Sequence, residues 1–167
     1  PLGIHVGGYG GHSPSAGGWP SFYNEEHHTN AHSVAAQLMS LVIEGVPERF
    51  PSLKFVFIEG GFGWVPATTW RMDQQFEHFR DEVPHLKRRP SEYVKENFWF
   101  TTQPSEEPDN SAHLRQIIDW IGVDRLIFSS DYPHWDYDDP RYAIKTPLSD
   151  EERAKIFRGN AHDVYDF

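Results

Sequence analysis

Four positions in this chain of 167 residues carry side chains that could work together on a divalent ion or an activated water: His5, Glu59, Thr102 or Gln103, and Asp131. Each closes an apolar run, and Asp131 lies in the segment Phe128-Ser-Ser-Asp-Tyr-Pro-His-Trp-Asp136 that follows the run from Val123. A neutral imidazole and a carboxylate are good ligands for zinc, and a catalytic zinc needs three protein ligands plus an open position for water. His5 and Asp131 supply two, so at least one ligand has to come from elsewhere. Glu59 follows five mostly apolar residues, where a carboxylate is costly to bury unless it is paired or metal-bound. It is the candidate base, with Asp131 as ligand or proton shuttle. The ordinary alternatives are a strand-end His5 satisfied by backbone hydrogen bonds and an Asp131 that merely closes an Asx-turn.

These residues converge only if the elements that carry them run parallel. The pattern predicts four strand-helix units, with strands at about 2–6, 54–59, 97–102 and 125–130. Nearly continuous apolar runs fit parallel strands covered on both faces, and such folds gather their chemistry at the carboxyl ends of the strands. A long Gly- and Ser-rich loop from Gly7 to Asn30 precedes a helix from about Ala31 to Glu44, with Thr29 or Asn30 as its N-cap and Gly45 near its end. A loop of that length suits a lid, a disordered segment being the plainer alternative. Further helices are expected through Trp70 to Phe79, from Ser111 to Trp120, and at 149–158 and 160–165. Trp64, Trp70, Trp99 and Trp120 read as core residues. The run Gly7-Gly-Tyr-Gly-Gly11 has neither the dinucleotide-binding spacing nor a P-loop lysine.

A net charge of −10 argues against nucleic acid as a partner, and no apolar run is long enough to span a bilayer. A soluble, cytoplasmic protein acting on a small molecule is the expectation. Without cysteine, any metal has to be held by His and carboxylate. A complete eight-fold barrel needs about 250 residues. The chain opens at Pro1-Leu-Gly-Ile-His5, inside what reads as a strand, so residues upstream are expected.

The segments Leu2-Gly-Ile-His5, Gly45-Val-Pro-Glu-Arg-Phe-Pro-Ser-Leu-Lys54 before a strand ending in Gly60-Gly61, Ser130-Asp-Tyr-Pro133 and Gly159-Asn-Ala161 occur in order over nearly the whole chain. Together they resemble the carboxyl-terminal half of the amidohydrolase superfamily, in the branch of aminocarboxymuconate-semialdehyde decarboxylase. The resemblance implies an α/β fold, a (β/α)8 TIM-type barrel of which about the last four units are present, with residues 1–167 forming half of one domain. It also implies one divalent metal, zinc first and manganese or iron as alternatives. His5 matches the fifth-strand ligand and Asp131 the eighth-strand aspartate, while the first-strand ligand pair is absent from these residues. Where the family usually has a histidine that helps activate the metal-bound water, this sequence has Glu59.

The same resemblance implies that Arg71 binds a substrate carboxylate across the interface of a homodimer; a salt bridge to Asp73 or Glu77 is the competing expectation. His134 and Trp135 would hang over the rim and contact a flat substrate by hydrogen bonding and stacking, or pack beneath a loop. His27, His28 and His32 are expected in the lid or at the helix start, facing solvent. The function expected is metal-dependent hydrolysis of an amide, ester or lactone, or non-oxidative decarboxylation of an unsaturated or aromatic acid. The alternative is a non-catalytic half-barrel that works only with a partner chain.

Overall fold

Phe-Val-Phe-Ile and Phe-Trp-Phe-Thr are runs that bury both sides of a strand, and they form the middle of the sheet. In the computed structural model, which describes residues 1–7, 11 and 13–167, strands β1 (Leu2–His5), β2 (Phe55–Ile58), β3 (Phe98–Thr101) and β4 (Leu126–Ile127) pair in that order, all parallel. The Gly7 to Gly11 run is mostly outside the described residues, as Gly8, Tyr9 and Gly10 are, and so is His12.

Helices α1 (Tyr23–Ile43), α2 (Val46–Arg49), α3 (Val65–His78), α4 (Pro90–Asn97) and α5 (Ser111–Ile121) connect the strands. After β4 come α6 (Asp150–Ala154), a π-helical turn (Lys155–Gly159) and α7 (Asn160–Tyr165). Successive strand side chains point to opposite faces. On one face Phe55, Phe57, Phe98 and Phe100 stack with ring centroids 4.8 to 6.0 Å apart, against Leu38 and Val42 of α1, Met72 of α3 and Ile118 of α5. On the other face Val56, Trp99 and Ile127 meet Val164 of α7. Asn160 fixes that helix by donating from Nδ2 to the carbonyls of Val123 and Leu126, both at 2.7 Å. The Gly-Asn-Ala segment thus serves the start of β4, at the end of the sheet away from the candidate residues.

Two expectations about elements are corrected. The helix expected from Ala31 begins at Tyr23, so neither Thr29 nor Asn30 is its cap; Thr29 Oγ1 instead donates to Glu26 O within the helix. The first two turns, Tyr-Asn-Glu-Glu-His-His-Thr-Asn, carry no apolar period because they lie mostly exposed, while the core-facing stripe starts at Val34. Among the tryptophans, Trp99 is buried, Trp64 and Trp120 half-buried and Trp70 exposed, its ring resting edge-on against Trp120 at 5.7 Å. Among the described residues no helix is long and apolar enough to cross a membrane.

Candidate functional site

The carboxyl end of each strand releases one expected residue. Two of them leave in an unusual backbone conformation: Glu59 has φ 61° and Asp131 φ 58°, and among the described non-glycine residues only Asp166 shares a positive φ. A left-handed residue with a side chain costs about 1 to 2 kcal/mol, and such strain gathers where a side chain has to be aimed. Here it aims two carboxylates.

His5, mostly exposed, has Nδ1 2.8 Å from the carbonyl of Val6 and Nε2 2.6 Å from Glu59 Oε2. A carbonyl only accepts, so Nδ1 carries a hydrogen, and the short contact at Nε2 requires a proton on one of its two partners. Glu59 is held from behind, its backbone N–H donating to Thr101 Oγ1 at 3.1 Å. An imidazole oriented through Nδ1 to a backbone carbonyl is also the usual attitude of a metal-binding histidine. The plain backbone-satisfied reading of His5 therefore covers only half of its contacts.

Asp131 Oδ2 lies 2.9 Å from His134 Nδ1 and 3.4 Å from Nε2 of Gln103, contacts that an Asx-turn does not explain. Gln103 is 1% exposed, and its Nε2 also reaches Asp136 Oδ2 at 3.2 Å. Asp136 in turn lies 3.0 Å from His27 Nε2. Trp135 is 73% exposed and donates from Nε1 to the hydroxyl of Tyr23 at 3.3 Å, so neither it nor His134 is packed beneath a loop.

Clefts open beside Glu59 and His27. One of about 190 Å³ is bounded by His5, Glu59, Tyr23 and His27, and a second of about 240 Å³ by Glu59, Gly60, His27, Pro104 and Glu106. Both are smaller than the roughly 300 to 1,000 Å³ of sites for drug-sized ligands, a scale that suits a single-ring acid.

Glycines shape the second cleft. A Cβ at Gly60 would stand 2.4 Å from Val34 Cγ2 of α1, and one at Gly61, whose φ is +62°, would meet Glu106 Oε1 at 2.6 Å. The space left at Gly61, and at Gly63, where a Cβ would meet Glu106 Cδ at 2.8 Å, seats Glu106 against the backbone amides, with Phe62 N–H donating to its Oε2 at 3.3 Å. Burial raises the Glu106 carboxyl above the ordinary carboxylate range despite the Gly63 and Phe62 amides. Burial likewise raises Asp138, with the charges of Glu107 and Asp136 adding to it, and its Oδ2 is buried without a hydrogen-bond partner. Sequence reasoning missed both acids, as well as Gln103's link to Asp136.

Arg71 is on the exposed side of α3 and borders neither cleft. The salt bridges expected for it are not made: Asp73 accepts from Ser91 N–H at 2.9 Å, and Glu77 pairs with Arg89 at 2.9 Å. His28 and His32 are exposed on α1, as expected, and His28 Nδ1 lies 2.8 Å from the carbonyl of Asn24 within the helix. His27 departs from the solvent-facing expectation.

His5 and Asp131 suit a divalent ion in the kind of donor they offer. They do not complete a site: among the described residues no three His, Cys, Asp or Glu side chains are grouped so as to hold a metal.

The family model described as amidohydrolase matches residues 1–167. A gamma-resorcylate decarboxylase of a Polaromonas species is 29% identical over 133 residues, 78% of this chain and 40% of its own length. An amidohydrolase structure from Mycobacterium avium subsp. paratuberculosis is similar at a TM-score of 0.76 and 25% identity, covering 98% of this chain and 41% of that one. A Polaromonas dihydroxybenzoic acid decarboxylase, solved with manganese and the inhibitor 2-nitroresorcinol, gives a TM-score of 0.65 at 27% identity, over 81% of this chain and 40% of its own. The chain thus spans about two fifths of the length of these relatives.

Proposed function

The chain belongs to the amidohydrolase family, its fold a set of parallel units of a (β/α)8 barrel, and from that premise we propose that it carries half of the active site of a non-oxidative decarboxylase for small aromatic acids. On this reading residues 1–167 are the carboxyl-terminal half of one barrel domain, working as a homodimer. The observation that carries the reading is the His5 to Glu59 contact at 2.6 Å, beside a cleft of single-ring size.

A divalent ion, manganese as in the Polaromonas relative or zinc, would be held by His5 and Asp131 together with ligands beyond the described residues, and would act as a Lewis acid toward substrate oxygens. The remaining work falls to the chain itself. In decarboxylation the bond from ring to carboxylate breaks, its electron pair stays on the ring carbon, a proton takes the vacated position and CO2 leaves. Glu59 faces the His5 nitrogen that would take the ion; released from that contact once the nitrogen is a ligand, its carboxylate would hold and relay protons. Trp135 and His134 would border the substrate's plane, and Arg71 of a second subunit would neutralise a carboxylate.

The test is CO2 release from 2,6-dihydroxybenzoate by the complete barrel protein that carries this chain, with added manganese. Glu59→Gln is expected to lower turnover by about 100-fold or more, the ordinary range for a lost acid or base. Undiminished turnover in that variant would refute the assignment of Glu59. A carboxylate base is equally suited to activating water, so Glu59 itself favours a second reading, hydrolysis of an amide, ester or lactone. Hydrolysis without CO2 release would establish it.

A further inference from the structure

We propose that His27 and Asp136 form an acid–base dyad of this same site, brought over the Glu59 cleft by the first turns of α1 and the loop after β4. The identity of the reaction rests on the decarboxylase reading; the dyad itself rests on geometry.

His27 Nε2 lies 3.0 Å from Asp136 Oδ2, with the side chains only 21% and 13% exposed. An ionised carboxylate accepts and does not donate, so Nε2 carries the hydrogen and Nδ1 is left as the basic nitrogen. That is the logic of a histidine oriented by an acid through one ring nitrogen so that the other can exchange protons. No described residue is hydrogen-bonded to Nδ1.

Asp136 is itself fixed. The buried amide of Gln103 reaches its Oδ2 at 3.2 Å and Asp131 Oδ2 at 3.4 Å, so one side chain holds the dyad's carboxylate in register with the strand-end aspartate. The rings of Tyr23 and Trp135 flank the imidazole at 5.6 and 5.8 Å between centroids. His27 borders both clefts that contain Glu59. Its neighbour His28 is engaged with its own helix. In the forward reaction the imidazolium gives its Nδ1 proton to the ring carbon as the bond to the carboxylate breaks; CO2 leaves, and the neutral imidazole regains a proton from solvent by way of Glu59, which borders the same clefts. Asp136 stabilises the cation between turnovers.

The competing explanation is a strut that pins α1 to the rim. His27→Gln separates the two, because a glutamine amide can still donate to Asp136 but cannot carry a proton through the reaction. With the manganese-supplemented complete barrel protein and 2,6-dihydroxybenzoate, the dyad requires that His27→Gln lower turnover by about 100-fold, with KM and melting temperature unchanged and one limb of the pH profile lost. Turnover within about threefold of the parent, with an unaltered profile, would make the pair a strut and overturn the dyad while leaving the decarboxylase reading intact.

Nitrogen NMR of the metal-free chain adds a readout that needs no activity. The expected tautomer has the hydrogen on Nε2, and Asp136→Asn removes that preference. A hydrogen on Nδ1 overturns the proposal. If the complete barrel protein releases no CO2, the reaction reading falls, and the tautomer then decides the dyad: Nε2–H with a His27 resonance that moves on adding 2,6-dihydroxybenzoate supports it, and an unmoved resonance overturns it.

Discussion

Glu106 shows what a single residue can hide from sequence. His5, Glu59 and Asp131 stand at the ends of apolar runs, and their positions are legible because strand ends are. Glu106 follows Gln103-Pro104-Ser105 in a polar loop, and its burial depends on Gly61 and Gly63, more than forty residues earlier, which leave room for it. Its carboxyl is held above the ordinary range, so the folded protein keeps that proton longer than the unfolded chain does. The stability gained is therefore full below the unfolded value, near pH 4, and is lost as pH rises through the raised value. Glu106→Gln cannot ionise. Its melting temperature is expected to exceed the parent's at neutral and alkaline pH, with the gap closing as pH falls toward about 4. A gap that widens on acidification would contradict the assignment.

At the scale of elements, apolar patterning located all four strands, since a run buried on both faces needs no period to be read. It failed for the start of α1, where eight polar residues wind into helix over the rim, and it gave no helix at 90–97, where Pro90 opens a short amphipathic stretch. The same two turns of α1 deliver Tyr23 and His27, so part of the site was missed for the same reason as part of the fold. The carboxyl-terminal helices expected at 149–158 and 160–165 are present, the first starting after Ser149 and passing into the π-helical turn at Lys155. Ser149 Oγ accepts from Glu152 N–H at 3.2 Å, and the Glu152 carboxylate accepts from Ser149 N–H at 2.8 Å, a reciprocal cap. Arg115 of α5 clasps Glu152 and holds its carboxyl down at about 2. Ser149→Ala is expected to cost about 1 kcal/mol in denaturant unfolding, without effect on substrate binding.

For the whole molecule, stability is a small difference, about 5 to 15 kcal/mol for a typical domain, and every local strain draws on it. Glu59 and Asp131 sit in a conformation that glycine adopts freely. At these positions the usual ranking should invert, with Glu59→Gly more stable than Glu59→Ala by about 1 kcal/mol in chemical denaturation. The reverse order would show that the backbone at Glu59 is not strained. The same inversion sets this protein's fate under artificial selection. A library screened for heat resistance alone would drift toward glycine or asparagine at 59 and 131, and its most robust survivors would have discarded both rim carboxylates. Any campaign to harden the protein therefore has to hold those two codons fixed.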